Sequence, residues 1–518
     1  MDDAHPEQLS PALSARGHGK VATMTQPNIL WICTDQQRWD TISGLGFEGV
    51  RTPHIDSLME NGVAFRRAYT QSPICTPSRA SFLTGMYPIA HHVHRNGNDA
   101  FPSQLELLPK VFQRAGWHTG LIGKLHLSAT QKRIEARADD GYDELYWSKH
   151  PYPEKGVSDE VRAAHDYQNW LVEKGVDIEK AFAFAEEALA DGMPTDQHQT
   201  TWAKERAQRF IETHVDSPWF LSINVFDPHP PFDPPADYMA RYEPAEMSLP
   251  IFRESDMEHS ERFREVDQQA TKPVDPRIMP AEGKAFTIPE GRESHDTPPD
   301  SYDARRIKAA YFAMIELIDD MVGSLLDTLR RTGQERDTLV LFMSDHGEML
   351  GDHGLLYKGC RFYEGLVHVP MLASWPGRTK PGISDALVEL LDIPSTLCEA
   401  AGLPPMEQDQ GKSFFPILTG EAQPDQHKSH VLCEFWDAIS FPGKRGSRGS
   451  MYFDGRYKLS LYHDVGQGEL YDLENDPSEF DDLWLDASHK DLRLRLTEQS
   501  FAAFMMVSGI GPKRVADF

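Results

Sequence analysis

Residues 28–33, Asn-Ile-Leu-Trp-Ile-Cys, form a short apolar run that changes abruptly into the polar segment 34–38, Thr-Asp-Gln-Gln-Arg. A run that is apolar on both faces is typical of a central parallel strand with helices on both sides. The same pattern returns at residues 218–225, before Phe-Asp-Pro-His, and at residues 338–343, before Ser-Asp-His-Gly. The sequence therefore predicts three buried strands, each of which ends in a carboxylate.

Amphipathic segments lie between these strands. Residues 105–115 and 302–331 carry apolar side chains at helical spacing, and Thr-Gly at 332–333 ends the second segment. Strands that alternate with helices predict an α/β fold with a large, doubly wound, mainly parallel sheet flanked by helices. Such sheets bind ligands beyond the carboxyl ends of their strands, so we expect the polar strand ends to form one site. We expect the charged, aromatic-rich segments 139–196 and 237–299 to wall the pocket.

The C-terminal part of the chain has a different pattern. Residues 431–436 and 450–461 resemble antiparallel strands, and Asp454-Gly455 between two alternating runs is a hairpin signal. A helix is predicted at about residues 488–506. These features predict a small α+β domain with an antiparallel sheet. The predicted organisation is a disordered tail at 1–27, a catalytic domain at 28–420, and a small C-terminal subdomain with its tail at 421–518.

Composition and charge exclude several classes of function. The 518 residues include 80 acidic and 52 basic residues, and the net charge of −28 repels phosphate backbones and anionic lipid surfaces. Nucleic acid and membranes are therefore not expected partners. Residues 1–27 lack the apolar run of ~7–15 residues that a secretory signal needs. Five scattered cysteines without a Cys-x-x-Cys pair fit a reducing compartment, so we expect a cytoplasmic protein.

Residues 73–85, Pro-Ile-Cys-Thr-Pro-Ser-Arg-Ala-Ser-Phe-Leu-Thr-Gly, carry the most informative motif. An isolated cysteine in such a segment is usually a small buried hydrophobe. This segment, however, resembles the signature of the sulfatase family of the alkaline phosphatase-like superfamily, Cys-x-Pro-Ser-Arg followed by Leu-Thr-Gly. The resemblance implies that a formylglycine-generating maturation enzyme oxidises Cys75 to formylglycine. Arg79 lies one helical turn further on, where its guanidinium can fix the turn that carries the nucleophile.

Residues that follow the predicted strands match the metal ligands of that family. Asp35 and Gln36 follow the first strand, and Asp345 and His346 follow the third. An isolated Asp-Gln after a strand is usually a helix cap or a turn, but with Cys75 the resemblance implies one divalent metal site. The family commonly has Asp where Gln36 stands and Asn where His346 stands. An imidazole ligand shifts the preference from Ca²⁺ toward Mn²⁺, so both ions are candidates.

Basic residues in three further segments also match the family. The resemblance implies that Lys124 and Lys358 bind the sulfate oxygens. It implies that His229, together with Lys358, stabilises or protonates the leaving-group oxygen, and that His126 takes the proton from the second hydroxyl of the nucleophile. Asn96 matches a polar position of the related phosphonate monoester hydrolases and is a candidate substrate-binding residue. A lone residue of these types is otherwise a solvated side chain or a turn residue.

The sequence supports a leading function and two alternatives. We predict a sulfatase that hydrolyses aryl or alkyl sulfate monoesters to an alcohol or phenol and inorganic sulfate. The first alternative is a phosphonate monoester hydrolase or phosphodiesterase with the same nucleophile. Gln36 and His346 favour that branch, whereas Lys124 and His126 favour sulfatases. The second alternative is a non-catalytic oxyanion-binding or metal-binding relative in which Cys75 stays a thiol.

The C-terminal residues provide two further observations. Residues 470–477, Leu-Tyr-Asp-Leu-Glu-Asn-Asp-Pro, resemble the signature of the family's C-terminal domain. The tail at 507–518 is apolar and rich in glycine, which favours docking on a neighbouring subunit. We therefore predict a homo-oligomer.

Overall fold

A nine-stranded mixed sheet forms the centre of the molecule. The computed structural model describes residues 26–182, 189, 192–267, 273–280, 286–287, 299–437 and 446–509. The strands of this sheet are β1 (Asn28–Thr34), β2 (Gly62–Tyr69), β3 (His118–Gly123), β4 (Glu144–Trp147), β5 (Trp219–Asn224), β8 (Thr338–Ser344), β9 (His368–Ser374), β10 (Gly382–Ser384) and β11 (Val388–Glu389). A short pair, β6 (Phe286–Thr287) and β7 (Ser301–Tyr302), lies outside it.

The strand order is β10-β2-β9-β8-β1-β5-β3-β4, and β11 also pairs with β2. Strand β9 runs antiparallel to β2 and β8, while the other pairings in this sheet are parallel. The three strands predicted from apolar runs are β8, β1 and β5, which are adjacent in the sheet. Thr34 pairs with Ser344 and Cys33 pairs with Asn224, so the three strands end at the same edge. The predicted mainly parallel sheet is confirmed.

Helices cover both faces of this sheet. Alternate residues of β1 point to opposite sides, so that Trp31 belongs to one buried cluster and Leu30 to the other. The longest helix, α11, ends at Arg331, as the sequence pattern predicts. The helices are α1 (Pro53–Ser57), α2 (Cys75–Thr84), α3 (Pro88–His91), α4 (Leu108–Arg114), α5 (Asp159–Ala163), α6 (Asp166–Glu173), α7 (Ile178–Ala181), α8 (Gln199–Thr213), α9 (Ala236–Met239), α10 (Ser255–Glu261), α11 (Ala304–Arg331), α12 (Glu364–Val367), α13 (Ile393–Ala400), α14 (Phe415–Thr419) and α15 (Lys490–Val507).

A separate four-stranded antiparallel sheet forms near the C-terminus, as predicted. Its strands, in sheet order, are β12 (Val431–Trp436), β13 (Arg448–Phe453), β14 (Tyr457–Tyr462) and β15 (Gln467–Asp472). The hairpin between β13 and β14 turns at Asp454-Gly455, where Gly455 has a φ of +96°. A side chain would strain this backbone, which explains the glycine.

Two sequence predictions extend beyond the described residues. The predicted N-terminal tail lies outside them except for residues 26 and 27, as does the C-terminal tail from residue 510 onward. The proposed division into domains stays a prediction. Within the described residues, no helix is both long enough and apolar enough to cross a membrane.

Candidate active site

Four potential ligand groups meet where β1 and β8 end. Asp35 follows β1, Asp345 and His346 follow β8, and Cys75 is the first residue of α2. One ligand atom from each of the four lies within 4.8 Å of the others. Each of these residues is at most 1% exposed. The parallel strands therefore bring the predicted strand-end carboxylates together on the floor of a buried site.

Cys75 lies between this floor and a cationic wall formed by Lys358 and His229. Its Sγ is 3.1 Å from His346 Nε2, 3.1 Å from Lys358 Nζ and 3.7 Å from Asp35 Oδ1. Burial raises the pKa of the Cys75 thiol, but neighbouring cations outweigh it and hold that pKa well below its ordinary range. In a matured enzyme, the oxygen atoms of the oxidised residue would stand where Sγ lies.

Arg79 connects the two carboxylates of the floor. Its Nε donates to Asp345 Oδ2 at 2.9 Å, and its Nη2 lies 3.4 Å from Asp35 Oδ2. Its Nη1 donates to the backbone carbonyl of Lys124 at 2.9 Å, and the Lys124 ammonium contacts Asp35. Burial raises the pKa of Asp35, but these cations hold it well below its usual range. Arg79 therefore holds α2 against both strand ends, which is consistent with the predicted structural part of its role.

Lys358 and His229 form the cationic wall. Lys358 Nζ lies 2.7 Å from His229 Nε2 and 3.0 Å from Gln36 Oε1. His229 Nδ1 lies 2.6 Å from the carbonyl of Pro230, so Nδ1 carries the proton and Nε2 accepts from the ammonium. Burial and Lys358 hold the pKa of His229 well below its ordinary value, so the imidazole is neutral. The proton of this pair therefore resides on Lys358.

His126 is held close to Cys75 by a buried carboxylate. Glu135 Oε2 accepts the backbone N–H of His126 at 3.0 Å, and the adjacent backbone of Leu127 contacts the same carboxylate. Burial and the charge of Lys124 lower the pKa of His126 to about 4, against the opposing effect of Cys75. A neutral imidazole in this place can accept a proton from the nucleophile.

Asn96 lies at the start of the nucleophile's helix. Its Oδ1 accepts the backbone N–H of Thr76 at 3.0 Å, next to Cys75. His94, two residues earlier, stacks on Trp436 of the C-terminal sheet with ring centroids 4.3 Å apart. Asn96 therefore supports α2 from a loop that packs on the C-terminal sheet, and its contact with substrate stays a prediction.

Parts of the two predicted wall segments lie beside the cationic wall. The Tyr152 ring is 6.3 Å from the Phe226 ring, which in turn is 4.5 Å from His229. From the second segment, Asp267 Oδ1 accepts the backbone N–H of Cys360 at 3.1 Å, two residues beyond Lys358. These contacts connect both segments with the site.

Comparison with known proteins assigns the family. The sulfatase family model matches residues 27–403. This chain belongs to the sulfatase family. A second model, of the C-terminal region of N-sulphoglucosamine sulphohydrolase, matches residues 351–503 of this sulfatase. The prediction of a sulfuric ester hydrolase in the alkaline phosphatase-like superfamily is confirmed.

Relatives of this sulfatase span almost its whole length. An arylsulfatase of Clostridium perfringens is 28% identical over 88% of this chain and 90% of its own length. A choline-sulfatase of Rhizobium meliloti is 28% identical over 89% of this chain and 83% of its own. The solved structure of a phosphonate monoester hydrolase from Silicibacter pomeroyi has a TM-score of 0.74 and 25% identity, covering 93% of this chain and 96% of its own.

The sulfatase family implies a metal ion and a formylglycine, and the floor residues fit a divalent cation. His346 Nδ1 lies 2.9 Å from the carbonyl of Gly347, which leaves the lone pair of Nε2 facing the floor. That nitrogen is 3.8 Å from Asp35 Oδ1 and 3.8 Å from Asp345 Oδ1. Three acceptor atoms that converge in a buried pocket suit a divalent cation.

Sequence reasoning missed Glu348, which orients the predicted ligand Gln36. The amide Nε2 of Gln36 donates to Glu348 Oε2, so its Oε1 faces Lys358. The other oxygen of Glu348 accepts the backbone N–H groups of Leu350 and Tyr357. Glu348 lies three residues after Asp345 in the segment that follows the strand, but no motif in the sequence indicates that it orients Gln36.

Proposed function

We propose that this sulfatase hydrolyses aryl or alkyl sulfate monoesters to an alcohol or phenol and inorganic sulfate, with formylglycine made from Cys75 as its nucleophile. The observation that carries the proposal is the cationic wall. Lys358 Nζ lies 3.1 Å from Cys75 Sγ and 2.7 Å from His229 Nε2, so binding and proton donation meet at the nucleophile. A non-catalytic binding protein would have no use for that arrangement.

We assign Asp35, Asp345 and His346 of the floor, together with Gln36 and oxidised Cys75, to one divalent metal ion. When bound, the ion would polarise the sulfate oxygens and lower the pKa of the nucleophile's hydroxyl. Four oxygen donors and one imidazole are compatible with Ca²⁺ and with Mn²⁺, and the His346 nitrogen favours Mn²⁺. Hydrated formylglycine at position 75 would supply one hydroxyl to attack sulfur. Loss of the proton of the second hydroxyl would break the C–O bond to sulfate and restore the aldehyde, to which water adds again.

The surrounding residues bind the sulfate group and transfer protons, and Lys358 does both. Lys124 and Lys358 bind the sulfate oxygens by charge. Lys358 protonates the leaving-group oxygen, directly or through His229 Nε2, and the S–O bond to the leaving group breaks. His126 accepts the proton of the second hydroxyl at its imidazole as sulfate is released. Asn96 is proposed to contact the substrate from the start of α2.

A phosphonate monoester or phosphodiester hydrolase is the second candidate. The amide of Gln36 and the imidazole of His346 depart from the common sulfatase ligands, and the likeness to the Silicibacter pomeroyi hydrolase gives this candidate additional support. A sulfate monoester and a phosphonate monoester each carry one negative charge when ionised, so charge alone does not select between them.

A kinetic comparison tests the proposal. Protein of verified mass is assayed for kcat/KM with an aryl sulfate, an aryl phosphonate monoester and an aryl phosphodiester that share one leaving group. We expect the sulfate to lead by orders of magnitude and the activity to vanish in Cys75→Ala. Faster turnover of either phosphorus ester would assign the enzyme to the second candidate.

We also propose that the protein is a homo-oligomer and that it is cytoplasmic. Its maturation would require a formylglycine-generating enzyme. Helix α15 supports the oligomer, since Leu494, Phe501, Met505 and Met506 are 57–83% exposed. The five cysteines are free and buried, which fits a reducing compartment. Light scattering that gives a monomer mass would contradict the oligomer, and cell fractionation tests the compartment.

A further inference from the structure

Two histidines and a glutamate form a second cluster at the opposite end of the sheet from the active site. His118 is the first residue of β3, Glu144 the first of β4, and His214 follows the last residue of α8. Lys124 of the active site directly follows the other end of β3. At ~3.3 Å per residue, the strand separates His118 from Lys124 by about 20 Å. The cluster is therefore independent of the catalytic floor.

The three side chains converge on one carboxylate oxygen. Glu144 Oε1 is 2.8 Å from His118 Nε2 and 3.5 Å from His214 Nε2. One ligand atom from each residue lies within 4.8 Å of the others. The two imidazole rings stack with centroids 4.0 Å apart, so one ring must turn for both nitrogens to face a common ion. The side chains are 15–33% exposed, which leaves access for an ion and for water.

The tautomer of His214 places two hydrogen-bond acceptors of this cluster opposite each other. His214 Nδ1 lies 2.9 Å from the carbonyl of Phe210, so Nδ1 carries the proton of the neutral ring. The lone pair of Nε2 then faces Glu144 Oε1, which is also an acceptor. A cation between these atoms removes the conflict, and that cation is either a metal ion or an additional proton on the ring.

Neighbouring residues position Glu144 and His118. The second oxygen of Glu144 accepts the hydroxyl of Tyr146 at 3.2 Å, and the ring of His118 lies 5.7 Å from that of Phe210. A ligand carboxylate that accepts a further hydrogen bond, as Glu144 does from Tyr146, is typical of metal sites. Asp143 adds negative charge 3.9 Å from His118 Nδ1.

We propose that His118, Glu144 and His214 bind a divalent transition-metal ion, with Zn²⁺ as the best match to two imidazoles and one carboxylate. Water completes the coordination. Since the three ligands come from β3, the sheet-edge strand β4 and the end of α8, the ion would connect these elements. The expected effect is on stability, with turnover unchanged.

Zinc content tests this site. Tag-free protein is stripped with EDTA, equilibrated with a small excess of Zn²⁺, desalted and analysed for zinc per chain. His489→Gln serves as the control, because His489 is exposed beside the carboxylate of Asp486. We expect wild type and the control to retain one more zinc per chain than His118→Gln or His214→Gln. Zinc held at the catalytic floor is common to all four proteins.

Thermal unfolding provides the second measurement. With Zn²⁺ at 100 times its Kd, we expect the midpoint to rise by about 3 °C in wild type and control, with no rise from this site in the two cluster variants. Equal zinc content and equal shifts of the unfolding midpoint in all four proteins would overturn the proposal. They would show that an additional proton on the His214 ring, and not a metal ion, lies between this ring and Glu144.

Copper provides a readout that does not depend on the variants folding. Electron paramagnetic resonance of the wild-type Cu²⁺ complex should show coupling to two imidazole nitrogens. The catalytic metal group contains His346 as its single histidine. A spectrum with coupling to one nitrogen, or to none, would contradict the proposed site.

Discussion

Contacts of single residues decide how a proton reaches the leaving group. Cys75 and Asp35 raise the pKa of Lys358 against the effect of burial, so Lys358 stays protonated next to neutral His229. Its ammonium is 2.7 Å from His229 Nε2, which is close enough for a direct hydrogen bond. Lys358 therefore combines the charge that binds sulfate with the proton that the leaving group needs.

Replacing Lys358 should affect poor leaving groups most. For Lys358→Ala we expect kcat/KM to fall about 10³-fold with a poor leaving group, and less with a good one that needs no proton. Lys358→Arg keeps the charge and should recover substrate binding better than kcat. Rates for a series of aryl sulfates of graded phenol acidity check this. An equal loss across the series would mean that Lys358 acts in binding alone.

Replacing Glu348 should affect the metal more than the fold. In Glu348→Gln, an amide faces the amide of Gln36, so the orientation of the Gln36 oxygen is no longer fixed. We expect metal affinity to fall about 10–100-fold. Metal titration of the purified protein measures this without relying on turnover, with the exposed Glu498→Gln as the control. Unchanged metal affinity in Glu348→Gln would show that Glu348 does not position Gln36 for the metal.

The sequence indicated the site residues that carry motifs but not those that support them. Asp35, Asp345 and Cys75 could be predicted because strand ends and a signature mark them. Glu135 and Glu348 could not, because their partners are backbone N–H groups brought close by loop folding. The joint role of Lys358 and His229, residues that are 129 positions apart, was anticipated only through the family resemblance, and their hydrogen bond required the structure.

At the scale of elements, the sequence predicts the apolar strands β1, β5 and β8 and their parallel arrangement. It does not predict the direction of every strand in the sheet. Strands β1, β5 and β8 show runs that are apolar on both faces, and they form the centre of the sheet. Strand β9 has the same buried pattern but runs antiparallel to β8. A strand buried on both faces has no alternation that distinguishes the two directions. Its pairing therefore required the structure.

The turn at the end of β3 should tolerate no side chain. Gly123 has a φ of +103°, and an added Cβ would lie 2.0 Å from the carbonyl oxygen of Asn224. Gly123→Ala should therefore destabilise the protein by about 3 kcal/mol and displace Lys124. Gly116→Ala is the matched control, since Gly116 has a φ of +98° with open space around it and should cost only about 1 kcal/mol. Urea midpoints and kcat/KM compare the two, and equal losses would refute the steric argument.

Glu434 on β12 should make stability depend on pH. Burial raises its pKa to about 8 in the folded protein, whereas the unfolded value is about 4.3. The folded state thus binds the extra proton, and this contribution to stability falls as pH rises from about 4 to 8. In Glu434→Gln we expect a smaller fall of the unfolding midpoint between pH 5 and 8 than in wild type. The exposed Glu498→Gln should follow wild type, and a parallel profile for Glu434→Gln would contradict the prediction.

At the scale of the whole molecule, buried ion pairs join the C-terminal sheet to the active-site side of the large sheet. Arg361, three residues after Lys358, contacts Glu469 and donates to the hydroxyl of Tyr462 at 3.2 Å. Lys458 Nζ lies 2.9 Å from Glu364. Removing one partner of such a pair leaves a buried charge, at a cost of about 3–5 kcal/mol. The C-terminal sheet therefore helps to hold the segment that carries Lys358.

The central claim is that sulfate ester hydrolysis depends on the oxidised form of Cys75. Its most direct test measures sulfatase activity against the fraction of Cys75 converted, in preparations made with graded amounts of the maturation enzyme. Conversion lowers the mass of the peptide containing Cys75 by ~18 Da. We expect activity per chain to rise in proportion to that fraction and to extrapolate to zero at no conversion. Activity that is independent of conversion would contradict the account.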